Sequence, residues 1–314
     1  IMKFNKPKFW DIEKPNFYSN LLRPISSLVG LISKLKKLGT TRKKYLNIKT
    51  ICIGNIYLGG TGKTSLCLKI YDLFSKNYKC CFIKKYYEDQ KDEQKILENK
   101  GRLFCYSSRS DAIDAAIKEN FEIAIFDDGL QDYSIKFDKT LLCFNSINWV
   151  GNSLTIPAGP LREDLNNIKN YKNIFINGNL ENIENIEKKV YEISKDINIF
   201  SGEYIPMDIG NFDQKRNYLA FSGIGNHETF VSMLKKFGFN IQKDIKYPDH
   251  YKYSKFDQDF ILSTAKKNNY KIITTEKDYY RLNTQYIDKF QFIKSELKIN
   301  DENKLVNTIL DLNE

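Results

Sequence analysis

Apolar and polar positions follow two different periods along the chain, and these periods predict its strands and helices. Short apolar runs occupy residues 49–54, 79–83 and 122–126, whereas the longer segments 63–75 and 110–120 mix apolar and polar residues. A short apolar run is typical of a buried strand, and a longer mixed segment is typical of a helix packed on it. Because the two kinds alternate, we predict an α/β fold with a mainly parallel sheet and helices on both of its faces.

A polar, turn-like stretch at residues 211–216 interrupts this alternation. Beyond it the pattern begins again, with predicted strands at 218–222 and 271–275 and predicted helices between and around them. A second round of strands and helices indicates a second, smaller α/β domain. The predicted parts of the chain are therefore residues 1–45, residues 46–212 and residues 213–314.

The N-terminal part contains a basic amphipathic helix. Its apolar residues recur at steps of three and four, which marks one helical face. They are Leu21, Ile25, Leu28, Ile32 and Leu35. Pro24 is expected in the first turn, where its missing N–H leaves no helix bond unmade. The cations here are Arg23, Lys34, Lys36, Lys37, Arg42, Lys43 and Lys44. Such a helix either packs its apolar face on the protein core or lies in an anionic membrane interface.

Composition limits the class of protein. The 314 residues include 49 Lys and Arg against 39 Asp and Glu, and the net charge of +10 indicates either a solvated lysine-rich surface or a polyanionic partner. In the second case the partner would be nucleic acid, anionic lipid or a phosphorylated substrate. No apolar run approaches the roughly 18 residues of a membrane-spanning helix. The six cysteines include no C-x-x-C pair, so we expect buried thiols in a reducing cytoplasm.

The strongest motif is a glycine-rich string between a predicted strand and a predicted helix. It reads Gly59-Gly60-Thr61-Gly62-Lys63-Thr64, and Ser65 follows it. A P-loop needs glycines so that backbone N–H groups wrap the phosphates, a lysine that reaches the β- and γ-phosphates, and a hydroxyl for Mg²⁺. Lys63 and Thr64 meet the last two needs. The usual pattern has its first glycine where this chain has Tyr57, and the alternative is a turn that binds no ligand.

Two adjacent acids end the strand predicted at residues 122–126. Asp127 and Asp128 would repel each other without a cation, so we predict that they border a metal site beside the P-loop. The alternative is a solvated turn, because Asp-Asp-Gly is also turn chemistry. The nearest string to the guanine-reading [NT]-K-x-D motif is Thr275-Glu276-Lys277-Asp278, in which the lysine comes one place late. ATP is therefore the predicted nucleotide.

Seven strings, spread over nearly the whole chain, carry a resemblance. They are Phe9-Trp10 with the basic helix, Gly54-Asn55 with the P-loop, Asp127-Asp128-Gly129-Leu130-Gln131, Pro157-Ala158-Gly159-Pro160-Leu161-Arg162-Glu163, Phe221-Ser222-Gly223-Ile224-Gly225, Tyr247-Pro248-Asp249-His250, and Thr275-Glu276-Lys277-Asp278. In this order they resemble the tetraacyldisaccharide 4′-kinases of lipid A biosynthesis. The resemblance implies a P-loop NTPase-like fold for residues 46–212.

The resemblance also implies an activity. It is the transfer of the γ-phosphate of ATP, with Mg²⁺, to the 4′-hydroxyl of an acylated glucosamine disaccharide 1-phosphate, which gives lipid IVA. The implied location is the cytoplasmic face of the bacterial inner membrane, as a peripheral protein. On that basis residues 1–45 are expected to dock on the membrane. The positive charge would then meet anionic headgroups and the glycolipid substrate, and no nucleic acid partner is expected.

Single residues take implied roles from the same resemblance. Residues 59–65 would bind the nucleotide, with Lys63 on its phosphates. The expected Mg²⁺ ligands are Thr64, Asp127, Asp128 and Glu163. The expected phosphate or substrate contacts are Arg109 and Arg162, although a solvated arginine at a helix start is the alternative for Arg109. The expected catalytic residues are Asp92, His250, Lys63 and Asp128.

Asp92 and His250 form the implied proton-accepting pair. Asp92 resembles the aspartate of a Gly-Asp-Glu-Pro string in the family, and His250 resembles the histidine that partners it from the second domain. Where the family has Ser-Arg-Gly-Tyr-Gly, this chain has Lys84-Lys85-Tyr86-Tyr87. The segment that presents Asp92 has thus lost its glycines, and residues 86–100 are predicted as a loop or a short helix.

Two other functions remain as alternatives. A membrane-associated P-loop ATPase that acts as a targeting or partitioning switch shares the P-loop and the basic helix. It explains neither Arg162-Glu163 nor Pro248-Asp249-His250. A nucleic-acid-stimulated ATPase is suggested by the charge alone, and it would need a basic stripe with stacking aromatics.

Overall fold

Strands and helices alternate through residues 6–311, the part of the chain that this computed structural model describes. The strands are β1 (Lys49–Gly54), β2 (Cys80–Lys85), β3 (Leu103–Tyr106), β4 (Ile123–Asp127), β5 (Lys139–Asn145), β6 (Asn173–Asn177), β7 (Asn198–Pro206), β8 (Asn217–Ser222), β9 (Asn240–Lys246), β10 (Lys271–Thr275), β11 (Gln291–Ile293) and β12 (Ser295–Ile299). The helices are α1 (Phe17–Leu38), α2 (Lys63–Phe74), α3 (Lys91–Lys100), α4 (Arg109–Lys118), α5 (Ile183–Ile193), α6 (His227–Lys236), α7 (Lys255–Asn268), α8 (Glu276–Tyr279) and α9 (Glu302–Leu310).

The larger sheet places β1 near its centre. Its strand order within the described residues is β12-β7-β6-β5-β1-β4-β2-β3, and β1 runs parallel to both β4 and β5. The chain leaves β1 through α2 toward β2 on one side, whereas β5 lies on the other side. A crevice at the carboxyl end of such a strand is where open α/β sheets bind ligands. The predicted α/β fold with a mainly parallel sheet is confirmed, and this crevice is the place to look for the site.

The smaller sheet has the order β11-β10-β8-β9 within the described residues, and neighbouring strands run parallel. Its central strands β8 and β10 were expected from their apolar runs. β9 was not expected, because it lies at an edge and most of its residues are exposed. An edge strand that faces water has no need of an apolar run, and charged residues there protect the edge from unwanted pairing.

The chain divides into two units whose limits differ from the predicted ones. The first unit comprises Lys6–Asn177, Asn182–Ser201 and the residues from Ile299 onward. The second comprises Gly178–Glu181 and Gly202–Lys298. The predicted boundary at residue 212 therefore falls inside the second unit. α9 returns to the first unit, where Glu302 on it pairs with Lys69 of α2 at 2.7 Å, a long-range contact that no local pattern announces.

The N-terminal helix starts earlier than expected. Asn16 caps α1 by accepting a hydrogen bond from the Ser19 N–H at 3.0 Å, so the helix begins at Phe17. Pro24 consequently lies inside the helix and not in its first turn, which corrects the expectation. The cap explains the difference, since a side-chain acceptor fixes a helix start more strongly than a proline that merely tolerates one.

Candidate functional site

The glycine-rich turn leads from β1 into α2 as a phosphate loop does. Gly62, the residue before α2, has φ 76°, and Gly59 has φ 145°, so both adopt backbone that side chains with a Cβ avoid. Thr61 between them is buried. Asn55 donates to the Thr61 hydroxyl at 2.9 Å, and Asn177 donates to the Thr61 carbonyl at 2.6 Å. These two hydrogen bonds fix the loop. The N-terminus of α2 follows directly after it at the carboxyl end of β1, where its free N–H groups are able to bind an anion.

Lys63 lies beside the two acids at the end of β4. Its Nζ is 3.9 Å from a carboxylate oxygen of Asp128. Arg162 donates to both Asp128 oxygens, at 3.1 and 3.2 Å, and to Gln131 at 2.8 Å. Burial raises the pKa of Asp128, but the charges of Lys63 and Arg162 outweigh burial and hold this pKa below its ordinary value. The predicted residues Lys63, Asp128 and Arg162 are therefore brought together as one charged cluster.

Asp127 turns to different partners from those of its neighbour. Its carboxylate accepts a hydrogen bond from the Thr64 hydroxyl at 3.3 Å and one from the Lys84 ammonium at 2.6 Å. Asp128 has φ 60°, a left-handed backbone, and successive side chains at a strand end leave on opposite sides. The two acids therefore diverge, and each is compensated by a different cation of the protein.

The four predicted metal ligands do not form one cluster. Glu163 is buried, and it accepts hydrogen bonds from Tyr171 at 3.3 Å and Asn167 at 3.4 Å. Burial and the charge of Glu163 raise the pKa of Tyr171. No group of three or more His, Cys, Asp and Glu side chains in the described part of the chain is arranged to hold a metal ion. Thr64 and Asp127 lie together, whereas Asp128 and Glu163 have separate partners.

Arg109 is buried at the first position of α4, which excludes the alternative of a solvated helix-start arginine. Its guanidinium donates to the Asp128 carbonyl at 2.6 Å and to the Asp132 carboxylate at 3.4 Å. The side chain thus supports the backbone just after β4. Its contact with substrate or phosphate stays a prediction.

Asp92 lies in a helix, which settles the choice between loop and helix for that segment. A 3₁₀ turn at Glu88–Gln90 leads into α3, and Asp92 and Glu93 occupy the first helical turn. Acidic side chains are favoured at this position by the helix dipole. Asp92 is half-buried. Its role as a base stays a prediction.

His250 belongs to the second unit, where a turn holds it. The residue has φ 56°, and its N–H donates to the Gly223 carbonyl at 3.1 Å. The His250 imidazole lies 3.8 Å from the Asp249 carboxylate and is partly exposed. The other histidine, His227, is buried between Ser222 at 2.8 Å and Asp244 at 3.0 Å. His250 is therefore the histidine of the two whose ring reaches solvent.

Sequence reasoning missed Lys84, which belongs to the same neighbourhood as Asp127. Lys84 is a buried lysine at the end of an otherwise apolar strand, and its ammonium also contacts Glu93 of α3 at 2.8 Å. A signal did exist, since a lysine seldom ends a run such as Cys-Cys-Phe-Ile unless it has a carboxylate partner. The partner could not be named, because it depends on which strand lies beside β2.

Comparisons with known proteins agree with this geometry. The model of a family described as LpxK, tetraacyldisaccharide-1-P 4′-kinase, matches residues 18–314. A tetraacyldisaccharide 4′-kinase of Pelagibacter ubique is 54% identical over 316 residues, which cover 100% of this chain and 99% of that protein. The enzyme of the same name from Rickettsia akari is 32% identical over 303 residues, or 90% of each chain.

A solved structure shows the same fold. The "apo" form of LpxK from Aquifex aeolicus, in complex with ATP, superposes with a TM-score of 0.64 at 21% identity, over 94% of this chain and 98% of that one. The family match and the relatives above 30% identity extend over most of the sequence. The chain therefore belongs to the tetraacyldisaccharide-1-P 4′-kinase family.

Proposed function

We propose that this protein transfers the γ-phosphoryl group of ATP to the 4′-hydroxyl of a tetraacyldisaccharide 1-phosphate. The observation that supports this most directly is the charged cluster beside the phosphate loop, in which Lys63 and Arg162 both contact Asp128 at the end of β4. Phosphoryl transfer needs little covalent chemistry from a protein and is accelerated mainly by positioning and by charge neutralisation. Membership of the kinase family specifies the acceptor.

The cluster would act on the phosphates through fixed positive charge. The N–H groups of the loop and the start of α2 face a bound anion, and Lys63 would reach the β- and γ-oxygens. Arg162, now on Asp128, would be a second cation for the group in transfer. Preorganised charges of this kind stabilise the charge that develops in the transition state without reorganising at the moment of reaction.

The Thr64 and Asp127 pair suits Mg²⁺. A hydroxyl and a carboxylate oxygen 3.3 Å apart are hard oxygen donors, and Mg²⁺ in kinases is held by one or two such protein ligands together with phosphate oxygens and water. When bound, the ion would neutralise charge on the β- and γ-phosphates. Asp128 and Glu163 stay in the proposal as predicted ligands, although both have other partners in the structure described above.

Asp92 is the proposed base. It would accept the proton of the sugar 4′-hydroxyl as the phosphoryl group arrives, with His250 as the residue that supports its charge. The first turn of α3 suits this role, because the helix N-terminus favours an ionised carboxylate.

The decisive experiment is an acceptor-dependence assay. Purified protein is incubated with γ-³²P-labelled ATP and the tetraacyldisaccharide 1-phosphate, and the lipid product is analysed for a new 4′-phosphate. Label in the lipid, with little release of inorganic phosphate when the acceptor is omitted, supports the proposal. Fast ATP hydrolysis that ignores the acceptor would instead favour an ATPase switch.

We further propose that α1 docks the protein on an anionic membrane surface. Its predicted apolar stripe is exposed, and each of the five residues is at least half accessible: Leu21, Ile25, Leu28, Ile32 and Leu35. The buried residues of the helix are Ser19 and Ser26, and Ser26 donates to the Thr155 carbonyl at 2.8 Å. α1 thus attaches through small polar residues and turns its apolar side outward, as interfacial helices do.

Positive charge adjoins this helix. Eight lysine and arginine side chains and three aspartates line a cavity of about 1060 Å³ near its carboxyl end, including Lys37, Arg42 and Lys44. Such cations are attracted to anionic headgroups. None of the described helices has both the length and the apolar character needed to cross a bilayer.

The membrane proposal predicts loss of vesicle binding without loss of fold. The triple variant Ile25→Ser, Leu28→Ser, Ile32→Ser should no longer sediment with phosphatidylethanolamine–phosphatidylglycerol vesicles, because each apolar side chain contributes roughly 1.5–3 kcal/mol when it leaves water. Its thermal unfolding should match the wild type, since these residues are exposed. Leu46→Ser, at an exposed leucine outside the helix, is the control. A lowered melting temperature would show that the helix is a core element.

A further inference from the structure

Lys84 is a buried cation at the end of β2 that the mechanism above leaves without a role. Its side chain is only 3% exposed. β2 runs parallel to β4, and Lys84 is the register partner of Asp127. Register partners on neighbouring strands place their side chains on the same face of the sheet. The ammonium therefore reaches Asp127 at 2.6 Å as a direct result of strand pairing.

The same ammonium reaches a second carboxylate. Glu93, in the first turn of α3, lies 2.8 Å from the Lys84 Nζ. Burial opposes a positive charge, and the two carboxylates within hydrogen-bond distance compensate it. Lys84 thus joins the end of β4 to the start of α3 through an ion triad in which Lys84 and Asp127 are buried and Glu93 is partly exposed. Breaking such a group leaves uncompensated charge in the protein.

Both partners of Lys84 lie next to proposed machinery. The carboxylate of Asp127 is the one that also meets the Thr64 hydroxyl at 3.3 Å. Glu93 follows Asp92, the proposed base, in the same helical turn. The segment before α3 contains no glycine, and it enters the helix through a 3₁₀ turn. The link from Glu93 to Lys84 is therefore a part-buried ionic contact that ties this turn to the strand end.

We propose that Lys84 is a positioning residue that shares the Asp127 carboxylate with the metal, which weakens metal binding, and that holds α3 for the base through Glu93. The inference rests on the proposed function, because it assigns Lys84 to the same phosphoryl transfer. Two effects of opposite sign follow. Without Lys84 the turn that carries Asp92 loses its anchor, so turnover falls. Without its charge, Asp127 no longer shares its carboxylate with an ammonium, so a divalent cation binds there more tightly.

The test combines Lys84→Met with Glu93→Gln. Lys84→Met removes the charge and keeps the length of the side chain, and kcat should fall about 10²-fold, as for a misplaced catalytic group, with the KM for ATP within about threefold. Glu93→Gln should lower kcat in the same way, and the double variant should be no worse than the poorer single variant, because both break one link. Lys100→Met is the matched control, since its ion pair with Asp72 at 2.6 Å likewise tethers α3, but to α2 and at an exposed position.

The affinity for a divalent metal is a second measurement, and it would not change if Lys84 had only a structural role. Mn²⁺ bound in the presence of ADP, without acceptor, is measured by electron paramagnetic resonance of the free ion. Lys84→Met should bind Mn²⁺ about tenfold more tightly than wild type, whereas Glu93→Gln, which keeps the Lys84 charge on Asp127, should not. Equal Mn²⁺ affinity in Lys84→Met and wild type would overturn the shared carboxylate, and wild-type kcat in Glu93→Gln would overturn the link to α3.

The proposed function and the role of Lys84 can be disproved separately. A wild-type protein that leaves the disaccharide unphosphorylated defeats the proposed function, while the Mn²⁺ comparison still decides whether Lys84 acts on Asp127. If Lys84→Met does not fold, Glu93→Gln decides the anchoring role alone, because it leaves the pairing of Lys84 with Asp127 in place.

Discussion

Asp127 in the first unit and Asp278 in the second are both buried carboxylates beside a strand end, but their partners differ. The partners of Asp278 are the Gly223 N–H at 3.0 Å, the Tyr253 hydroxyl at 3.0 Å, the Thr275 hydroxyl at 2.7 Å and the Arg281 guanidinium at 3.3 Å. Asp127 meets Lys84, the Thr64 hydroxyl and, at 3.8 Å, the Cys67 thiol.

The difference shows how one residue type becomes a brace in one place and a proposed metal ligand in another. Asp278 accepts three bonds from neutral donors, and it fixes the turn at Gly223 whose carbonyl receives the His250 N–H. Burial and then the charge of Asp278 raise the pKa of Tyr253, so this hydroxyl stays a donor. Asp127 has one strong cationic partner and a weaker hydroxyl contact toward the phosphate loop. A carboxylate of that kind is able to exchange a partner for a metal ion.

The largest effect is expected at Lys63, which lies in the first unit with Asp127 and is proposed to bind the phosphates. Lys63→Ala should lower lipid phosphorylation by about 10³-fold or more, because it removes a preorganised charge from the phosphates. Thermal unfolding should change far less than turnover, since the contact of Lys63 with Asp128 is long, at 3.9 Å, and Arg162 also holds that carboxylate. Radiolabelled product formation measures the first quantity, and exposed Lys76→Ala is the control. Turnover like that of wild type would show that the nucleotide binds elsewhere.

The proposed catalytic pair comes next. Asp92→Ala and His250→Ala should each lower kcat by about 10²–10⁴-fold, the range of a positioned base, with ATP affinity nearly unchanged. If the two residues act as one unit, the double variant should be little worse than the poorer single variant. Losses that multiply would assign them independent roles. Fluorescent-nucleotide titration separates binding from turnover here.

Asp278 should change stability rather than chemistry. Asp278→Ala removes the carboxylate that faces the Arg281 guanidinium and accepts from several neutral donors, and breaking such a buried pair typically costs about 3–5 kcal/mol. The free energy of unfolding of the second unit should fall by that order, which urea unfolding followed by tyrosine fluorescence would show. A stable variant with low turnover would instead place Asp278 on the ligand side of the comparison.

The smallest effect is expected at Asp128, and it depends on pH. Asp128→Asn keeps a residue type that tolerates φ 60°, but it removes the charge held by Lys63 and Arg162. A carboxylate whose pKa is lowered on folding adds stability above its unfolded pKa of about 3.9 and loses it as the pH falls through the lower folded value. The stability difference should thus be full near pH 7 and shrink below about pH 4. Urea unfolding of the nucleotide-free protein across this range measures it, and a difference independent of pH contradicts the assignment.

The sequence was informative wherever function is local in the chain. The phosphate loop, the acids after β4 and the strands around them follow from strings of a few residues, and the structure brings Lys63, Asp128 and Arg162 together as one cluster. The string at Thr275–Asp278 is similar to a guanine-reading motif, but its aspartate accepts hydrogen bonds that fix a turn. That role depends on Gly223, some fifty residues away in sequence, and no spacing rule includes it.

What the sequence left open depends on register and on long-range pairing. Lys84 reaches Asp127 only because β2 lies beside β4, and a slip of one residue would turn it to the other face of the sheet. The divergence of Asp127 and Asp128 likewise needs the left-handed backbone at Asp128, which the motif does not encode. The position of α9 in the first unit likewise depends on long-range tertiary contacts.

The outward apolar side of α1 has a consequence for handling the protein in solution. A surface of this kind leaves water either by entering lipid or by meeting a second copy of itself, and both routes obey mass action. Added micelles should therefore dissociate any self-associated form, and dilution should do the same more weakly. Hydrodynamic size measured with and without detergent then reports on the helix directly, before any enzyme assay is attempted.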